Sequence, residues 1–190
     1  MSDANRERPA NVKLRSFSKS LPMSLLLARE SVMQRFRTSL HLFNITEQQW
    51  RVLRALSSIA EIEVTALAKV TYLLTPSLSR ILKDMEARKY IIRRPAPDDM
   101  RRALISISPQ GLKLIDAVAP YSEGIYAEIN KEFGKERMDQ LQQLLKELGD
   151  TLNALPPITY TGAELSPEIT EIAFGSSRRP TVGKGEDAEF

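Results

Sequence analysis

The sequence predicts a mainly α-helical protein carrying one small β-hairpin, an α+β class. Three observations predict it. Apolar residues recur at spacings of three and four along several segments, as at Leu78, Ile81, Leu82 and Met85, which marks amphipathic helices. Residues 103–107 instead alternate with period two and face a second β-rich run at 90–94. Between those runs lies Pro95-Ala96-Pro97-Asp98-Asp99-Met100-Arg101-Arg102, a turn-forming, charged tip.

Taken in order, residues 1–19 are polar and show no periodic apolar face, as expected of a disordered arm. Such an arm is either merely solvated or touches phosphates or a partner subunit. Residues 22–42 form a long helix, with Leu25, Val32, Phe36 and Leu40 on one side. Thr46 and Gln49 fit a capping box for the next helix, about 47–58, which buries Trp50, Leu53, Leu56 and Ser57. Ala66, Leu67 and Val70 suggest a short helix, followed by a turn at 71–75 with Leu73 and Leu74 inward. Thr75 can cap the helix of 75–88, and Pro76 fits its first helical position.

Beyond the hairpin, Ser108-Pro109 starts a long helix, with Pro120 and Gly124 as bending points. Gly134 separates it from a last helix with Met138, Leu141, Leu144, Leu145, Leu148, Leu152 and Leu155 on its apolar stripe. Pro156-Pro157 stops that helix, and 156–190 is expected to be a mostly disordered tail. The terminal helices, 20–45 and 109–155, hold more apolar surface than a small domain covers. They form a dimerisation region around the 63–108 lobe of a single 20–155 domain, or else fold back on the same protomer.

Composition removes several function classes. The 190 residues include no Cys and one His, so thiol chemistry and a multi-His site within one protomer are ruled out. No apolar run is long enough to span a bilayer and no signal peptide is visible, so a soluble cytoplasmic protein without membrane contact is expected. Paired acid–base motifs and phosphate-cradling Gly loops are absent, which argues against an enzyme, and no cofactor is expected. Ser16-Phe17-Ser18-Lys19 matches a Ser-x-x-Lys pattern by chance, lacking its companion motifs.

Charge points elsewhere. Residues 75–102 carry eight basic and four acidic residues, a net of +4, whereas the whole chain is +3. A basic helix-turn-helix plus hairpin is the footprint of a duplex-DNA binder. Ser77, Ser79 and Arg80 stand on the exposed face of the 75–88 helix as base contacts, with Thr75 and Lys83 nearer phosphate. The alternative for the charges is a solvated hairpin surface.

At these residues the sequence resembles a known family. Asp99-Met100-Arg101, followed by Ile107-Ser108 and Gly111, resembles the Asp-x-Arg-x5-Leu-Thr-x2-Gly wing signature of MarR-type regulators, with Ile and Ser in place of Leu and Thr. The run from Ile45 to Leu56, with Gln48-Gln49-Trp50-Arg51, is similar to the subgroup regulating homoprotocatechuate (4-hydroxyphenylacetate) degradation operons. The resemblance covers about 20–155. It implies a winged helix-turn-helix whose N- and C-terminal helices form a dimerisation domain. It implies a homodimer that represses an aromatic-acid catabolic operon through a pseudo-palindromic site and is released by a small phenolic or aromatic acid.

By the same resemblance Arg101 enters the minor groove and Asp99 holds an Arg across the wing tip, while Arg93, Arg94 and Arg102 meet phosphates. The acid is expected near Met33, Arg37, His41, Trp50 and Arg51, with Arg37 or Arg51 on its carboxylate and Trp50 on its ring. Two alternatives stay open there: Trp50 as plain core and His41 as a helix C-cap interaction. An architectural or activating DNA binder that ignores effectors is the alternative function.

Overall fold

The computed structural model describes residues 15–100, 102–158 and 167–174. The described chain divides into two units between Glu132 and Phe133. After a 3-10 turn at Phe17–Lys19, the first unit runs α1 (Leu21–Leu42), α2 (Glu47–Leu56), β1 (Ile62–Glu63), α3 (Val64–Thr71) and α4 (Thr75–Ala87). It continues with β2 (Ile91–Pro95), β3 (Ala103–Ile107) and α5 (Pro109–Phe133), whose last residue opens the second unit. There α6 (Lys135–Ala154) follows the left-handed Gly134, and α7 spans Pro167–Phe174. The structure is mainly helical with one small antiparallel sheet, as the periodicity predicts. No helix among the described residues is long and apolar enough to cross a membrane.

The capping box of α2 forms as read. Thr46 Oγ1 accepts the Gln49 N–H at 3.2 Å and Gln49 Oε1 accepts the Thr46 N–H at 2.8 Å. The α2 face then buries Val52, Leu53 and Leu56, while Trp50 is half-buried and Ser57 exposed, contrary to the expected set. In α3 the buried face is Leu67, Ala68 and Thr71 rather than Ala66, Leu67 and Val70. Thr71 is accommodated because its hydroxyl donates to the Leu67 carbonyl at 2.6 Å. Tyr72 ends α3 in the left-handed region (φ 51°).

Leu73 turns toward the core, but Leu74 is exposed, because it is the N-cap of α4 and not a turn residue folded inward. Thr75 is therefore the first helical residue, so the expected Thr75 cap is not made. Leu78, Leu82 and Met85 put α4 into the main core against Val52, Leu53, Leu56, Leu67, Ile91, Ile105 and Ile115. A second cluster of Leu40, Ile45 and Val118 joins α1 to α5. Two edge-to-face pairs, Phe36–Tyr126 and Phe43–Tyr121, each with centroids 5.2 Å apart, extend that seam.

The sheet has three strands in the order β1-β3-β2, all antiparallel. The hairpin was legible; β1 was not. Glu63 lies opposite Leu104, and Leu104 lies opposite Arg94, so these three side chains share one face.

Candidate nucleic-acid interface

With its apolar face buried, α4 presents Ser77, Ser79, Arg80 and Lys83 outward. Arg80 and Lys83 make no ion pair among the described residues. Ser79 Oγ donates to the Thr75 carbonyl at 2.9 Å, so toward a ligand it offers acceptor lone pairs. Two struts fix the helix. Gln49 Nε2 donates to Asp84 at 2.7 Å, tying the α2 capping box to α4. Arg88 donates to the Asn44 carbonyl at 2.7 Å and lies 4.7 Å over the Tyr90 ring, so one cation of the basic run is an internal strut.

The wing, β2 and β3, emerges beside α4. At its tip the Asp99 carbonyl accepts the Arg102 N–H and the Arg102 carbonyl accepts the Ala96 N–H, both at 2.9 Å. Arg93 is exposed and without an ion pair among the described residues. Arg94 is paired with Glu61, and Arg102 lies between Asp98 and Glu63. Asp98, then Glu63, raises the Arg102 pKa above its ordinary value. Neither Glu61 nor Glu63 was visible as a partner from sequence, since β1 is only two residues long. Arg101, expected in the minor groove, lies outside the described residues, while Asp99, expected to hold an arginine at the tip, adds to the field that raises the Arg102 pKa.

Behind the helix-turn-helix is a cleft of about 470 Å³. Met33, Trp50 and Arg51 line it. Arg37 and His41 are not among its lining residues. Arg37 is drawn away to Glu30 at 2.8 Å and Glu47 at 3.1 Å, and His41 is exposed in the last turn of α1. The sequence reading missed Arg29, Glu47, Arg54, Tyr72 and Tyr126, which also line the cleft. The spacing of Trp50 and Arg54 at i, i+4 on α2 was the available signal.

Glu47 is the electrostatic centre of this cleft. Its side chain is only 10% exposed and accepts from Arg51 at 2.8 Å, from Arg37 and from Arg29. Three guanidiniums and the α2 N-terminus compensate its burial. Nearby, the Arg37 hydrogen bond holds the Glu30 carboxyl below its ordinary pKa. Arg51 also donates to the Thr71 carbonyl at 2.9 Å, satisfying one of the open carbonyls at the end of α3. Arg54 has no ion pair among the described residues. Tyr72 lines both this cleft and a second groove of about 610 Å³ formed with Gln49, Leu73, Ser77 and Arg80.

Comparison with known proteins agrees with this geometry. Residues 43–102 match the MarR family profile. The chain is 34% identical to the HTH-type transcriptional regulator FarR of Neisseria gonorrhoeae, over 72% of this chain and 93% of that protein. It is 37% identical to the homoprotocatechuate degradative operon repressor of Escherichia coli, over 67% of this chain and 86% of that one. The solved structure of NadR in complex with 4-hydroxyphenylacetate superposes with a TM-score of 0.63 at 33% identity, covering 72% of this chain and 97% of NadR. These relatives are regulators and not enzymes, and they lie near the subgroup that the Gln-Gln-Trp-Arg run resembles. The chain belongs to the MarR family of transcriptional regulators.

Proposed function

We propose that the protein is a dimeric repressor that grips a pseudo-palindromic operator and is released by a small aromatic acid. The observation that carries this reading is the shared wall at Tyr72: the cleft and the recognition groove are one residue apart. A ligand can bias DNA binding only through different affinity for two arrangements of such a shared element. In the cleft, Arg54 is the guanidinium open to a carboxylate, and Trp50, Met33 and Tyr126 offer apolar surface to a ring. An acid that draws Arg51 from the Thr71 carbonyl loosens the turn from α3 into α4. The E. coli relative represses a homoprotocatechuate operon and NadR has been solved with 4-hydroxyphenylacetate, which supports an acid of that class.

The test is fluorescence anisotropy on the duplex upstream of the protein's own gene, at fixed salt, with and without 4-hydroxyphenylacetate. Tight binding lost on adding the acid supports the reading. Binding indifferent to aromatic acids favours the effector-independent alternative. Arg54→Ala should leave acid-free operator affinity unchanged. It should raise the acid concentration needed for release by about 10–100-fold, the scale of one charge-assisted hydrogen bond of roughly 1.5–3 kcal/mol. An unchanged release curve would remove Arg54 from the site.

On the DNA side, Arg80→Ala should weaken operator binding by about 1–3 kcal/mol and relax preference at one base pair. Equal loss on every sequence would make Arg80 a phosphate contact instead.

A further inference from the structure

We infer that Glu61 and Glu63 act as internal stand-ins for phosphate, holding Arg94 and Arg102 off the DNA backbone and limiting sequence-independent affinity. The inference rests on the DNA-binding reading above.

The sheet register places these groups together. Glu63, Leu104 and Arg94 occupy one rung. Arg102 and Glu61 lie just outside the strands, each two residues before the rung residue of its own segment, Leu104 and Glu63. Across that face Arg94 meets Glu61, and Arg102 meets Glu63 on one side and Asp98 on the other. A carboxylate offers a guanidinium two anionic oxygens that accept side by side, as the non-bridging oxygens of a phosphate do. A duplex phosphate must therefore displace a covalently tethered competitor at each of these two arginines. Arg93, the neighbouring wing arginine, has no such competitor among the described residues. Glu63 ends β1 and Glu61 immediately precedes that strand, at the opposite sheet edge from β2, so the restraint depends on the third strand of the sheet.

Sequence-independent affinity is set by the number of phosphates neutralised, and each adds about −0.9 to the slope of log K against log salt. The experiment compares wild type with Glu61→Gln/Glu63→Gln on a random-sequence duplex, by anisotropy over a salt series. The double variant frees Arg94 and should bind more tightly, on the order of tenfold at about 0.1 M salt with a slope steeper by about 0.9, and should gain as much again when Asp98→Asn removes the remaining carboxylate on Arg102. Glu61→Gln alone leaves the clamp on Arg102 intact and should show one arginine's share. Adding Arg94→Ala to Glu61→Gln should abolish that gain, which isolates the pair from a mere change in net charge.

An unchanged slope overturns the inference. So does weaker binding, which would mean that the carboxylates orient the arginines toward DNA. A gain that survives Arg94→Ala also overturns it. Wild type that binds while the variants match it sinks this inference alone; absence of binding by wild type and variants alike sinks the DNA-binding reading as well.

Discussion

Leu144→Glu combined with Leu148→Glu is expected to yield a monomer whose operator affinity is lower by about 10²–10⁴-fold, the scale on which two linked half-site contacts exceed one. The physical ground is the surface of α6. None of its twenty residues is buried, although Leu141, Leu144, Leu145 and Leu152 are among them. Leu144 alone is 62% exposed. Burying one such leucine contributes about 1.5–3 kcal/mol, so a stripe of four left in water is a large unmet term. The first unit repeats the pattern at the start of α1, where Leu21, Leu25, Leu26 and Leu27 are all exposed. A second copy of the chain is the proposed cover for these faces. Two carboxylates placed in the stripe are desolvated without partners when it closes, which opposes association directly. Light scattering reads the mass and anisotropy reads the affinity. A double variant that keeps dimer mass and wild-type affinity would show that α6 is not the interface.

How far the sequence could be read depended on how local each determinant is. The α2 capping box needs only Thr46 and Gln49, three residues apart, and it formed as expected. The inward face of α4 repeats over thirteen residues, long enough to fix its phase at Leu78, Leu82 and Met85. By contrast α3 has eight residues, and apolar side chains at Val64, Ala66, Leu67, Ala68 and Val70 leave its phase ambiguous. The answer turned on Thr71, a polar residue buried by a hydrogen bond to its own helix. A two-residue strand has no period at all, so β1 was invisible, and with it the partners of Arg94 and Arg102.

The site shows the same division. The outward residues of α4 follow from its buried ones, and Trp50 and Arg51 line the cleft. Arg37 does not line the cleft, and Glu30, seven residues earlier on the same helix, and Glu47, across the turn, claim its guanidinium. Competition among five charged side chains from α1 and α2 is a property of the packed helices, and no spacing rule ranks it. Arg88 illustrates the reverse case. It adds to the net charge of residues 75–102, but its reach of forty-four residues back to the Asn44 carbonyl makes it structural.

Gly111→Ala should destabilise the protein even though alanine is the better helix former by about 1 kcal/mol. Gly111 is the third residue of α5, buried where that helix starts against the wing. A Cβ there would lie 2.2 Å from the Tyr90 carbonyl oxygen and 2.8 Å from Ile107 Cγ1. The Tyr90 backbone is held from both sides: its carbonyl accepts the Ser108 N–H at 3.0 Å and its N–H donates to the Met85 carbonyl at 2.9 Å. Ser108 Oγ adds a bond to the Lys89 carbonyl at 2.6 Å and accepts the Gly111 N–H at 3.0 Å. The methyl can therefore be admitted only by moving α5 away from the entry of β2. Overpacking of this kind costs roughly 1–3 kcal/mol, and more against pinned backbone than against a side chain that can turn aside. Against pinned backbone the upper end of that range applies, so about 2 kcal/mol remains after the helix gain is offset, and at about 2–4 °C per kcal/mol for a chain of this size Tm should fall by about 4–8 °C. Because β2 begins one residue after Tyr90, the displacement should also re-aim the wing and weaken operator binding at temperatures where the variant is folded. Thermal unfolding decides between the two effects by sign: a Tm equal to or above wild type would mean that helix propensity prevails and that α5 and Tyr90 do not approach so closely.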